Sequence, residues 1–489
     1  MSLKKDLFSG VFYTAVARYS GLIVSLVIAG VLARLIPPED FGVVAVATVI
    51  ISFFGIFSDL GVGAAVIQNK TLTDAATGIR VTGDLPKGAF TVWTGVLLAV
   101  LFFAASWPIA AYYEKSILKS LCQWLSVNLL FASVNIVPNA LLHKAKRFRF
   151  LAVRNLVVQV GGGAVSIVAA LCGAGLYALI VNPILSSVLL FVLSYRAYPQ
   201  RLRPTFGLDA IRKIFSFSAY QFLFNAINYF SRNLDKLLIG KYMGMTALGY
   251  YEKSYRLMML PLQNITHVIS PVMHPVFSEF QHDLQRVRTS YEKIVRLLAF
   301  IGFPLSVFLW FAAQEVVLII FGSQWTPSVP VFRILSLSVG VQIVLASSGG
   351  IFQAANDTRS LFVCGLFSAA LNVTGILVGI FGFRSLEAVA WCICVTFTIN
   401  FVQCYWMMYR VTFAKSRLSG FCRQLVSPLA VSGILVLLLG ATTALTKDSP
   451  ELVGILAKGA VFLLTLFVYL QVSGEYDILA KLKRKGNPS

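Results

Sequence analysis

The sequence predicts an all-α integral membrane protein of about fourteen transmembrane helices. Three observations predict it. Of 489 residues, 57% are hydrophobic and 12% charged, whereas a soluble chain carries about a quarter charged residues. Apolar stretches long enough to cross ~30 Å of hydrocarbon recur from end to end. They are continuously apolar and do not alternate, so they read as helices and not as barrel strands.

Taken in order, the spans fall at 8–34, 41–67, 88–112, 118–142, 150–171, 174–195 and 214–240, then 247–274, 294–313, 327–354, 359–381, 386–409, 425–445 and 452–472. The first follows Met1-Ser-Leu-Lys-Lys5. Its apolar stretch is too long for a signal peptide and contains Arg18, so a retained helix is expected. A tight hairpin is expected at Cys172–Gly175, and residues 314–326 fall between spans. No loop has room for a folded extramembrane domain.

The formal charge of +21 does not imply nucleic acid, because the cations follow the membrane. Lys4, Lys5, Lys144, Lys146, Arg147, Arg149, Arg196 and the tail's Lys481–Lys485 fall on one side. The opposite loops hold only Arg34, Lys115, Lys119, Lys241, Arg384 and Lys447. This bias is expected to place the basic side and both termini in the cytoplasm. Basic loops there also meet anionic membrane lipids. Seven scattered cysteines without a CxxC read as small buried hydrophobes. Four histidines without ligand spacing predict no metal site.

An internal repeat organises the chain. Val31-Leu-Ala-Arg34 followed by Phe41-Gly42 matches Leu238-Ile-Gly-Lys241 followed by Leu248-Gly249 at an offset of 207 residues. A weaker match pairs Lys144–Leu151 with Ala354–Leu361 at an offset of 210. The expected organisation is a six-helix lobe at 1–206, a second in parallel orientation at 207–412, and two further helices with a basic tail at 413–489. Parallel repeats of this kind build transporters with a substrate site between lobes.

Charged residues inside spans are costly and point to function. Arg154, Arg296 and Arg333 lie near helix ends, where snorkelling to the interface is expected. Arg18 lies roughly 15 Å into its helix, so a wet cavity or anionic partner is expected. In span 214–240, Gln221, Asn225, Asn228, Arg232 and Asp235 recur at helical spacing on one face. The repeat sets Thr14, Arg18, Gly21 and Ser25 opposite the first four, and two such stripes would line a hydrophilic cleft. Span 247–274 adds Glu252, Lys253, Arg256, Gln263 and His267, with Tyr250, Tyr251 and Tyr255. The tyrosines suit an interfacial belt or stacking on sugar rings. Pro261, Pro271 and Pro275 are expected to kink the helix. Internal pairing of Arg232 with Asp235 and Lys236 with Glu252 would still leave cations in excess. That excess implies an anionic cargo, and the planar fork of arginine suits phosphate. No catalytic constellation and no phosphate-cradling GxxxxGK[ST] occurs, so a non-enzymatic role is expected.

Several motifs carry a family resemblance. Leu32-Ala-Arg-Leu-Ile-Pro-Pro-Glu-Asp-Phe-Gly42 and Phe57-Ser-Asp-Leu-Gly-Val-Gly-Ala-Ala-Val-Ile-Gln68 resemble signatures of the Wzx-type polysaccharide flippases of the MOP superfamily. So do Asp235-Lys-Leu-Leu-Ile-Gly240, Leu248-Gly-Tyr-Tyr-Glu-Lys-Ser-Tyr-Arg256, Pro275-Val-Phe-Ser278 and Phe321-Gly-Ser-Gln-Trp-Thr-Pro-Ser-Val-Pro330. The chain is most similar to the colanic acid exporter branch. Ile36-Pro37 and His274 depart from the usual pattern. The resemblance implies a MATE-like, V-shaped transporter working by alternating access. It would flip oligosaccharide repeat units on undecaprenyl pyrophosphate from the cytoplasmic to the periplasmic leaflet. Arg18, Arg232, Lys253 and Arg256 would then meet pyrophosphate and acidic sugars, and Gln221, Asn225 and Asn228 would meet sugar hydroxyls. Asp235 and Glu252 would couple transport to an ion, H+ or Na+; no other cofactor is expected. A polysaccharide polymerase and glycosyltransferases are the expected protein partners. The rivals on the same fold are a lipid II flippase and a multidrug cation antiporter.

Overall fold

The computed structural model describes residues 3–58, 87–199, 226, 229–278, 283–413 and 416–473. Among these the chain is helical, with no strand. In chain order the helices are α1 (Leu3–Leu35), α2 (Pro38–Ser58), α3 (Lys87–Tyr113), α4 (Ile117–Val134), α5 (Ile136–Lys144), α6 (Phe148–Leu171) and α7 (Tyr177–Ala197). Residues 229–242 form α8. Then come α9 (Met245–Ser278), α10 (Leu284–Phe311), α11 (Ala313–Phe321), α12 (Ser328–Ser336), α13 (Ser338–Leu345), α14 (Ser348–Ala354), α15 (Thr358–Leu377), α16 (Leu386–Met407), α17 (Ser419–Leu445) and α18 (Glu451–Val472).

Eleven of the described helices are long and apolar enough to cross a membrane. The pair 328–336 and 338–354, bent by 44°, makes a twelfth if it is one span. Two of the fourteen expected spans are not among these. Span 214–240 lies largely outside the described residues. Span 247–274 is helical, but Glu252, Lys253 and Arg256 stand close together near its start, and it is not apolar enough to count. It continues as one helix past Pro261, Pro271 and Pro275. Residues 314–326 are ordered by α11 and a single 3-10 turn at Ser323–Trp325.

The chain forms two compact units, Met1–Gly249 and Tyr250–Ser489. In the first, α1 lies against α6, α6 against α7 and α3 against α4. Ile28, Leu32, Ile36 and Ala178 are buried together, with Ile167 and Ala170 packed on them. The run Gly161-Gly162-Gly163 permits this approach. A Cβ on Gly163 would stand 2.0 Å from Ile28 of α1, and one on Gly162 2.4 Å from Asn182 of α7. Small residues let membrane helices pack this closely. In the second unit, α10 packs on α17 and α13, and α15 packs on α16. Tyr291 and Tyr405 stack there, with ring centroids 6.4 Å apart. Their hydroxyls are 2.8 Å apart, and Ser347 lies 2.8 Å from Tyr291. Buried hydroxyls need such partners.

Candidate functional site

The repeat glycines meet one another's helices. A Cβ on Gly42 would stand 1.8 Å from the carbonyl oxygen of Met245, and a Cβ on Gly249 2.0 Å from that of Pro38. Pro38 and Met245 are themselves 207 residues apart, as Gly42 and Gly249 are. The two contacts are therefore one contact and its repeat image. Each glycine admits backbone where any side chain would collide.

A clasp surrounds this pair within the first unit. Lys241 forms an ion pair with Glu114 at 2.8 Å, and its ammonium also donates to the carbonyl of Tyr112. The hydrogen bond and charge of Lys241 hold the Glu114 carboxyl below its usual range. Lys115 pairs with Glu39 at 2.7 Å. The hydroxyls of Tyr113 and Tyr229 donate to the carbonyls of Leu237 at 3.2 Å and Val49 at 2.6 Å. Four of these tyrosine and lysine contacts tie α8 to α2, to α3 and to the turn after α3.

The expected site residues occupy varied settings. Gln221, Asn225 and Asn228 lie outside the described residues, as do the side chain of His267 and the tail. Arg18 is exposed, as is Thr14 one turn earlier. Gly21 is buried where its carbonyl accepts from Gln159 at 2.8 Å. The stripe on α1 is therefore covered by α6 at Gly21 and open at Arg18. Arg232 and Arg256 are exposed, Asp235 is buried, and Glu252 is half-buried. Lys253 does not line open space. It is 3% exposed, and its ammonium lies 4.9 Å from the Phe321 ring centre and 5.5 Å from that of Trp325. Cation–π attraction stabilises such a desolvated charge. Tyr251 is buried and Tyr250 stands edge-on to Trp325, so these rings belong to the packing around Lys253.

Two buried cations escaped sequence reasoning. Arg154, expected to snorkel, is 5% exposed. Its guanidinium donates to Ser194 Oγ at 2.6 Å, Asn139 Oδ1 at 3.0 Å and Asn155 Oδ1 at 2.8 Å. Lys458 is also buried; it forms an ion pair with Glu315 and donates to the Phe311 carbonyl at 2.8 Å, where α10 ends. Of its partners only the adjacent Asn155 was visible beside Arg154 in the sequence. Their convergence from three helices was not.

The weaker repeat also has a structural image. Lys146 and Asn356, 210 residues apart, have φ of +52° and +55°. In each turn the helix-ending alanine, the left-handed residue and the next residue repeat the same backbone hydrogen bonds. Arg147 and Asp357 then occupy the same N-cap position before α6 and α15.

The comparisons with known proteins follow this geometry. The model of the family "Polysaccharide biosynthesis protein" matches residues 31–330. The teichuronic acid biosynthesis protein TuaB of Bacillus subtilis is 24% identical, covering all of both chains. The lipopolysaccharide biosynthesis protein WzxC of Escherichia coli is 24% identical over 78% of this chain and 76% of its own. Among solved structures, the lipid II flippase MurJ in an inward closed conformation aligns with a TM-score of 0.70 at 13% identity, covering 94% of this chain and 99% of its own. A multidrug resistance MATE transporter aligns with a TM-score of 0.61 at 15% identity, covering 81% and 96%. At such identities the structures establish a shared MOP-type fold and nothing of cargo. The match over more than half of its length shows that this chain belongs to the polysaccharide biosynthesis protein family of multi-pass membrane proteins.

Proposed function

We propose that the protein flips undecaprenyl-pyrophosphate-linked oligosaccharide repeat units across the bacterial inner membrane for surface polysaccharide assembly, with both termini in the cytoplasm. The observation that carries this reading is the end-to-end similarity to TuaB, a protein named for teichuronic acid biosynthesis. A further relative is named a succinoglycan biosynthesis transport protein, which supports transport over catalysis. Excess positive charge supports an anionic cargo over the cationic drugs of an antiporter.

Arg18 and Arg232 on the first unit and Arg256 on the second are the exposed cations proposed to meet pyrophosphate and acidic sugars. Lys253 contributes as a shielded charge beneath aromatic rings. Asp235 and Glu252 are the proposed groups for coupling to H+ or Na+. The reciprocal glycine contact and its clasp are proposed to close the outer side of the path, and alternating access requires that they part. A polymerase and glycosyltransferases would act on the same lipid-linked chain.

The test is complementation of a strain lacking this gene, reading surface polysaccharide and lipid-linked intermediates together. Loss should deplete the surface polymer and accumulate the intermediate. Arg18→Ala and Arg232→Ala should reproduce that phenotype at normal protein level. Normal export by both variants would remove these residues from the site. Cross-linking Glu114→Cys to Lys241→Cys should arrest export, and reduction should restore it.

A further inference from the structure

Helices α4 to α7 contain no carboxylate. Between Glu114 and Asp209 the sequence has no Asp or Glu, yet one end of this block carries Lys144, Lys146, Arg147, Arg149, Arg154 and Arg196. Arg147, Arg149 and Arg196 are exposed. Arg147 donates to the carbonyl of Ala197 at 3.3 Å, which seats the turn before α6 against the end of α7. Beneath it lies Arg154, whose acceptors are a hydroxyl and two amides. Those neutral oxygens satisfy its N–H groups but not its charge, and a guanidinium does not shed its proton.

The fold does not require that charge. The positions 210 residues after Arg154 and Ser194 are Cys364 and Cys404. Both are buried, on helices α15 and α16, which pack together. The same helix pair thus carries two neutral thiols in the second unit and, in the first, a cation whose partners among the described residues are neutral. At the turn above, the image of Arg147 is Asp357, an acid. Phe148, Phe150, Tyr195 and Tyr198 are all half-buried around the turn, as aromatic residues are at a membrane–water interface.

We propose that the turn over Arg154 is a binding site for the phosphate of an anionic phospholipid headgroup. Arg147, Arg149 and Arg196 make the contacts, since their planar forks suit phosphate oxygens. Arg154 supplies a fixed positive field from behind, which favours a headgroup of net negative charge over a zwitterion. The site stands apart from whatever cargo the protein carries.

Native mass spectrometry of the full chain tests it, with phosphatidylglycerol, phosphatidylcholine and inorganic pyrophosphate as probes. Phosphatidylglycerol should be retained over phosphatidylcholine by about tenfold or more. The triple variant Arg147→Gln, Arg149→Gln, Arg196→Gln should lose that preference, while the corresponding Lys triple should keep part of it. The double variant Arg154→Cys, Ser194→Cys imports the two thiols of the second unit, so it should fold and show a several-fold weaker preference. Equal retention of both lipids by the wild type would overturn the proposal, as would an unchanged preference in the Gln triple. Pyrophosphate binding as strongly as the lipid, at the same residues, would overturn the lipid as occupant. An unchanged preference in the Cys pair would remove Arg154 from the site.

Discussion

The turn at 144–151 and the turn at 354–361 share a backbone and differ in charge. Each ends a helix on an alanine, reverses through one left-handed residue and restarts a helix at the next position but one. In the second unit Asp357 caps α15 by accepting from the Ser360 N–H at 3.0 Å, and it accepts again from Thr412 at 2.6 Å. In the first unit Arg147 holds that position without a side-chain cap. The buried cations diverge likewise. Lys458 of the second unit has a carboxylate partner, and Arg154 of the first has neutral partners only among the described residues. A repeat preserves the geometry that folding needs and lets charge diverge. At this turn the first unit gives up the cap, and at Arg154 it gives up a carboxylate partner among the described residues.

The largest expected effect breaks the pairing in the second unit. Glu315→Gln leaves Lys458 buried without its counter-charge, and should cost about 3–5 kcal/mol of stability in detergent thermal unfolding. Glu315→Gln with Lys458→Met should recover most of that loss. If single and double variants melt alike, the two groups are not energetically coupled. Next, Arg154→Met should cost about 1–3 kcal/mol, because Ser194 and two asparagines lose their donor. The Arg154→Cys, Ser194→Cys pair should cost less, since two thiols already fill the equivalent place in the other unit.

Smaller effects sharpen the comparison at the turns. Asp357→Ala should cost about 0.5–2 kcal/mol through loss of the cap. Burial alone would raise the Asp357 carboxyl, but hydrogen bonds from Thr412 and Ser360 hold it below its usual value. Its contribution is thus present above the unfolded carboxylate pKa of about 4 and lost as pH falls through the lower folded value. The Asp357→Ala variant should accordingly converge with wild type only in strong acid. The smallest effect is a gain. Arg147→Asp should stabilise α6 by about 0.5–1 kcal/mol through a new cap, while lowering phosphatidylglycerol retention. A variant that gains stability without losing lipid would separate the turn's charge from its binding.

How much of this was legible beforehand follows from the range of each interaction. The continuous apolar runs, the basic loops and the hydrophobe-Gly repeats are local, so they gave the spans, the expected orientation and the glycine positions. Arg18 could be flagged because its depth in one helix is simple arithmetic. Arg154 was misread because its distance from a helix end says nothing about Asn139 and Ser194 closing around it. Lys253 was expected to meet cargo, and its aromatic cover comes from Phe321 and Trp325, far along the chain.

The amino-acid sequence by itself determined that this chain crosses a membrane many times, that it repeats at offsets near 210, and that it carries a large positive surplus. Hydropathy, spacing and composition express these directly, since each depends on neighbours within a few turns of helix. Only the tertiary structure decided which buried cations meet a carboxylate and which meet neutral groups among the described residues, and that Gly42 and Gly249 lie against each other's helix starts. Those outcomes rest on backbone approach and on partners 143 to 180 residues apart and more. Burial and charge pairing are set by what packs nearby in space, which no local pattern encodes.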